Sequence, residues 1–254
     1  MVDIHSHILP GLDDGSKSLE ESVEMLRQAA ESGTTDIVAT PHANTEFTFD
    51  PVLIGEKIAE LQEAAGPAPR IHRGCDFHLT LENIQDALSN PGKYSINHLS
   101  YILVEFSELL IPRTTQDIFD RLQGAGLTPI ITHPERNHLL HSRLDQLQSW
   151  VEHGALVQIT AGSILGNFGR SARAVATDLV NRNLAHFMAS DAHDTKHRTT
   201  DMREAYEHVE QTWSAATAEM LFTTAPQAVL AGEEIQLVDP EPAPRKKKWY
   251  RLGF

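Results

Sequence analysis

Apolar residues recur along this chain with two alternating spacings. Short, nearly continuous apolar runs read as buried strands, and stretches with apolar residues three and four apart read as amphipathic helices. The spacing predicts strands over 2–6, 36–40, 70–74, 101–104, 128–132, 155–160 and 185–189. Between them, Leu19, Val23, Leu26 and Ala30 mark a helix that opens on the capping box Ser18-x-x-Glu21 and closes at Gly33. Ile54, Ile58, Leu61 and Ala65 mark a second, stopped by Gly66-Pro67. A short helix is expected over 81–88, another around Ile118 and Leu122, and another through Leu144, Leu147 and Val151. A glycine-bearing loop is expected over 161–169, a helix over 172–180, and further helices as far as Gly232. Trp150 and Trp213 fall on apolar faces and are expected in the core.

Strand and helix thus alternate about seven times with no long linker and no internal repeat. That order implies parallel strands joined by helical crossovers, and the length of 254 residues suits one α/β barrel. We expect one domain over 1–235. A proline-rich and then basic tail follows over 236–254, with little regular structure. The net charge is −14. Five basic residues stand in the last ten, and removing them leaves 16 Lys and Arg against 35 Asp and Glu. So acidic a body does not suit general binding to nucleic acid. The tail, with Trp249 and Tyr250 among its basic residues, is expected to be solvated; contact with anionic lipid or an acidic partner is the alternative. No apolar run reaches the length of a membrane span, no signal peptide is evident, and a single cysteine fits a reducing cytoplasm.

The candidate chemistry begins at His5-Ser6-His7. On a strand, residues two apart face the same way, so both imidazoles can meet one metal ion. The turn at 10–15 adds two carboxylates, Asp13 and Asp14. Ligand-type residues then reappear at the ends of later apolar runs: His42, Asp76, Glu105, His133, Asp191 and His193. In βα barrels the chemistry sits at the C-terminal strand ends, which is where these residues fall. Mixed imidazole and carboxylate donors suit manganese, iron or zinc better than magnesium. A cysteine phosphatase loop needs an arginine six residues after the nucleophile, and after Cys75 that position is Leu81. The other histidines, His78 and His186 among them, read as surface or loop residues.

With His-x-His, Thr-Pro-His, the aspartate at 76, Glu105, His-Pro-Glu-Arg and Ser-Asp-Ala-His in order, the chain resembles the PHP (polymerase and histidinol phosphatase) superfamily. The opening Asp-Ile-His-Ser-His-Ile-Leu-Pro-Gly-Leu-Asp-Asp-Gly and the segment 133–136 resemble the bacterial manganese-dependent protein-tyrosine phosphatases of the CpsB/YwqE type. The resemblance implies a distorted (β/α)7 barrel with three divalent ions, manganese first and iron or zinc next. It implies one ion on His5, His7, Asp76 and Asp191, and a second on Asp76, Glu105 and His133. A third would lie on Asp14, His42 and His193, with Asp13 as the alternative to Asp14. Arg136 and Arg198 match the phosphate-binding arginines. Asp76 departs from the glutamate usual at its position.

The implied activity is hydrolysis of phosphotyrosine on protein. The implied partner is a bacterial tyrosine kinase of capsule or exopolysaccharide biosynthesis, met in the cytoplasm without membrane insertion. Two other readings compete. One is a small-molecule phosphatase, as for histidinol phosphate, or another metallohydrolase on the same barrel. An amidohydrolase commonly bridges its metals with a modified lysine, and Glu105 stands at that kind of position instead. The other is a non-catalytic metal-binding protein, against which the full set of ligand-type residues argues.

Overall fold

A computed structural model describes residues 1–236; the proline-rich and basic segment beyond lies outside the described residues. The first strand, β1 (Val2–Ser6), is buried along its whole length. It pairs in parallel with β2 (Asp36–Ala39), and β2 pairs with β4 (Arg70–Arg73). A second parallel sheet runs β3 (His42–Ala43), β5 (Asp76–His78), β6 (Tyr101–Glu105), β7 (Thr128–Thr132), β8 (Leu156–Thr160) and β9 (Phe187–Ala189).

The two sheets are parts of one ring. β3 continues β2 past Thr40-Pro41, and β5 continues β4 past Gly74-Cys75. Pro41 has no N–H to give a ladder, which breaks the first pair of segments. At Gly74 a Cβ would lie 2.7 Å from Val38 Cγ1, so only glycine lets the strands approach there. The ring closes between β9 and β1. The Asp191 N–H donates to the His5 carbonyl (2.9 Å), the His7 N–H donates to the Ala192 carbonyl (2.8 Å), and Ser6 bridges Ala192 in parallel. Counting each interrupted pair once gives the seven strand positions of a distorted barrel.

Helices cover the ring as the apolar spacing predicts. Helix α1 (Leu19–Ser32) turns Met25, Leu26 and Ala29 inward. Ser18 Oγ accepts from the Glu21 N–H. The Glu21 carboxylate reaches back one residue further than the usual box, to the Lys17 N–H (2.8 Å). The expected loop over 161–169 is a correction: Ala161–Leu165 is one helical turn, ended by Gly166 at φ 97°. Glycines at 162 and 166 suggest a loop, whereas burial of Ala161, Ser163 and Ile164 holds the turn helical. Trp150 is in the core; Trp213 is only partly buried and donates to Asn181 Oδ1.

Tyr101 and Leu103 share a face of β6 with Glu105, and Phe187 and Ala189 share one of β9, two residues before Asp191. These apolar residues join Val38, Ile130 and Leu156 in one buried cluster. Each such strand is anchored by its apolar start and presents a polar residue at its C-terminal end.

His186, expected as a surface or loop residue, lies in the connection just before β9 but is buried there, a second correction: Nδ1 accepts from the Val157 N–H (3.0 Å). Burial lowers its pKa to about 4. The unfolded chain takes up this proton near pH 6.5, whereas the folded chain resists until near pH 4, so stability is lost as pH falls through that window. We expect His186→Asn, which keeps an acceptor for Val157, to remove about 3 kcal/mol of the stability lost between pH 7 and pH 4. Urea unfolding of both proteins across that range checks this; parallel stability curves would refute it.

Candidate metal centre

Every sequence-predicted ligand comes to the C-terminal end of the barrel. His5 Nε2 lies 3.3 Å from His7 Nε2 and 3.5 Å from both Asp76 Oδ2 and Asp191 Oδ1. His7 Nε2 also lies 3.5 Å from Asp191 Oδ1. Asp14 Oδ1 stands between His42 Nε2 (3.3 Å) and His193 Nε2 (3.4 Å). Glu105 faces His42 Nδ1 (3.6 Å) and His133 Nε2 (3.7 Å).

Among the described residues, four sets have donor atoms within 4.8 Å of one another: His7, Asp14, His42 and His193; His42, Asp76, His78 and Glu105; His5, His7 and Asp76; and His5, His133 and Asp191. The partition differs from the one the resemblance implies. His133 groups with His5 and Asp191, and His7 joins the set around Asp14. Asp13 is not interchangeable with Asp14. Its Oδ2 accepts from His7 Nδ1 (2.7 Å) and its Oδ1 from the Gly15 N–H (2.9 Å), so it stands behind His7.

Several imidazoles are oriented from behind. Gln158 Oε1 accepts from His5 Nδ1 (3.0 Å) and Asp13 from His7 Nδ1, which turns both Nε2 atoms into the cluster. The 10–15 turn presses close enough that a Cβ on Gly15 would come within 2.5 Å of His7 Cβ. His133 (φ 31°), directly after β7, and Asp191 (φ 50°), two residues past the end of β9, both take left-handed backbone conformations. Such residues cost of order 1–3 kcal/mol each and concentrate at functional sites.

Charge is densely opposed here. Burial disfavours the imidazolium of His5, but the Asp191 and Asp76 carboxylates prevail and raise its pKa to about 9. For His42, burial is likewise overcome, by Asp14 and Asp76, and the value rises to about 11. His7 goes the other way, to about 4: burial outweighs Asp13, and the neighbouring His193 adds to the fall. Burial pushes Glu105 up, helped by the charge of Asp76. It takes Glu135, whose Oε1 accepts from the Thr160 N–H, to about 7.

The donor set fits divalent cations. Asp76 is fully buried; its Oδ2 faces His42 Nδ1 (3.1 Å) and His5 Nε2 (3.5 Å) as ion pairs, and its Oδ1 has no hydrogen-bond partner. A buried carboxylate left so is costly unless a cation meets it. Ligation requires neutral imidazoles, so ions binding here would displace protons that the carboxylates hold on His5 and His42.

Arg136 and Arg198 flank the cluster. Both donate to Asp191 Oδ2, Arg198 at 2.5 Å. The Arg136 guanidinium carbon lies 4.3 Å from the ring centroid of Phe168, and that of Arg198 lies 6.0 Å away.

Sequence reasoning passed over His78, Gln158 and Phe168. For His78 a signal existed, because Asp76-Phe77-His78 repeats the alternation of His5-Ser6-His7. Gln158 and Phe168 carried none; a buried glutamine and a loop aromatic acquire meaning only from their neighbours in space.

Residues 1–231 match the family described as capsular polysaccharide synthesis, CpsB/CapC. The chain is 37% identical over 257 residues to CapC of Staphylococcus aureus, covering 99% of this chain and 100% of that protein. It is 36% identical to the tyrosine-protein phosphatase YwqE of Bacillus subtilis, covering 97% and 98%. A solved structure from the work on YwqE and the Streptococcus pneumoniae CpsB, described as metal-dependent tyrosine phosphatases, superposes with a TM-score of 0.90 at 35% identity. It covers 96% of this chain and 100% of that one.

Proposed function

The chain belongs to the CpsB/CapC family of capsular polysaccharide synthesis, and on that premise we propose that it is a metal-dependent phosphatase acting on phosphotyrosine in proteins. The observation that carries the reading is the convergence of imidazoles and carboxylates from all round the barrel, with two arginines meeting on Asp191 at its edge.

His5, His7, Asp76 and Asp191, then Asp76 with Glu105 and His133, and Asp14 with His42 and His193 are the residues we assign to three divalent ions. Manganese comes first, with iron or zinc as alternatives. When bound, such ions acidify water and offset charge on phosphoryl oxygens. The side chains do the rest. Gln158 and Asp13 hold His5 and His7 in the tautomers that face inward. Arg136 and Arg198 offer planar paired donors to the phosphoryl group, and Phe168 stacks on Arg136 to hold it level. A tyrosine leaving group, with a pKa of about 10, asks less of a general acid than an alkyl alcohol does.

The partner we propose is a bacterial tyrosine kinase of capsule or exopolysaccharide assembly, met in the cytoplasm. Among the described residues no helix is long and apolar enough to cross a membrane.

Manganese-loaded protein offered a phosphotyrosine peptide, a phosphoserine peptide and histidinol phosphate tests the substrate class. We expect kcat/KM for the phosphotyrosine peptide to exceed the other two by at least about tenfold, a margin of 1.4 kcal/mol. Equal or better turnover of histidinol phosphate would replace this reading with a small-molecule phosphatase.

A further inference from the structure

His42 cannot ligate an ion beside each of the groups it touches. Its Nε2 faces Asp14 (3.3 Å) and its Nδ1 faces Asp76 Oδ2 (3.1 Å). A neutral imidazole has one nitrogen with a free lone pair. If His42 serves the ion beside Asp14 and His193, the ion beside Asp76 and Glu105 has room for another imidazole.

His78 is placed to supply it. Asp76 and His78 share one face of β5, while Phe77 between them is fully buried on the other. His78 Nε2 lies 2.5 Å from Glu105 Oε2 and 3.4 Å from His42 Nδ1. One donor atom from each of His42, Asp76, His78 and Glu105 falls within 4.8 Å of the others. Ligand bonds of about 2.0–2.2 Å put neighbouring donors about 3–4 Å apart around one ion, so an ion seated there would open the His78–Glu105 contact from 2.5 Å by about 0.5 Å or more. The buried Asp76 carboxylate, whose Oδ1 has no hydrogen-bond partner and whose Oδ2 faces only imidazoles, lies beside this space. We propose that His78 is itself a metal ligand, on the ion shared by Asp76 and Glu105.

The proposal rests on the reading of the cluster as a metal centre, and the experiment separates the two. Wild type, His78→Gln and His78→Asp are stripped, titrated with manganese by calorimetry, and assayed for metal content after gel filtration. We expect His78→Gln to bind one ion fewer per chain, or to hold one at least about tenfold more weakly. His78→Asp, which restores a ligand, should recover it. If His78→Gln does not fold, wild-type crystals soaked in manganese carry the test. An anomalous peak within about 2.0–2.3 Å of His78 Nε2 supports the assignment, and peaks that all lie beyond that distance overturn it. Wild-type stoichiometry and affinity in His78→Gln would also overturn it, and a loss of turnover with metal intact would make His78 a proton donor instead. A wild type that binds no manganese would sink the metal centre and this ligand together.

Discussion

Exhaustive chelation is expected to reduce phosphotyrosine hydrolysis to below about one per cent of the loaded rate, with manganese or iron restoring more activity than magnesium. The magnitude follows from what the ions replace. Water with a pKa of 15.7 is a poor nucleophile at neutral pH, and ions that lower this to about 7 account for most of the difference. Without them, the carboxylates of Asp14, Asp76, Glu105 and Asp191 would repel an incoming phosphate. The preference among metals follows from imidazoles in all four donor sets, since magnesium favours oxygen. Metal content and rate are measured on the same sample. Undiminished activity with no detectable metal would end the mechanism.

The second large effect is expected from Arg136→Ala, which should lower turnover by about 10²–10³, or about 3–4 kcal/mol, with metal content unchanged. His133 follows β7 in a left-handed conformation, and the Arg136 N–H donates to the His133 carbonyl (2.9 Å). That tight turn carries the Arg136 guanidinium over the cluster and against Phe168. Its charge would meet the transferring phosphoryl group without ligating an ion. His133→Ala should behave differently, losing metal as well as rate. Wild-type kinetics in Arg136→Ala on a phosphotyrosine peptide would reduce the residue to a partner of Asp191.

Much of this was legible in the sequence because the physics involved is local. Alternation on a strand puts His5 and His7 on one face whatever the rest of the chain does. Apolar runs ending in His, Asp or Glu place ligands at strand ends once the barrel is granted. What stayed hidden depends on contacts across the fold. The break at Gly74 follows from how near β2 comes, and the division of His42 between two groups follows from which nitrogen faces which carboxylate. His186 looked like a surface histidine because nothing local reveals that Val157 gives it a hydrogen bond. The short helix at Ala161–Leu165 was masked by glycines that a loop would share.

The seam between β1 and β9 gives the centre an order in time. His5 and His7 are synthesised some 185 residues before their neighbours Asp191 and His193. At about 5–20 residues per second, that separation is on the order of ten seconds or more of translation. During that interval β1 has no β9 to pair with, and Asp3, whose Oδ1 accepts from the Ser190 N–H, lacks that donor. The groups holding Asp191 and His193 can form only after the ring has closed, so metal uptake at full affinity reports a finished barrel. A nascent chain stalled before residue 187 should keep α1 and the β1–β2 pairing within reach, yet bind fewer manganese ions than the full chain, because the sets that include Asp191 or His193 are incomplete.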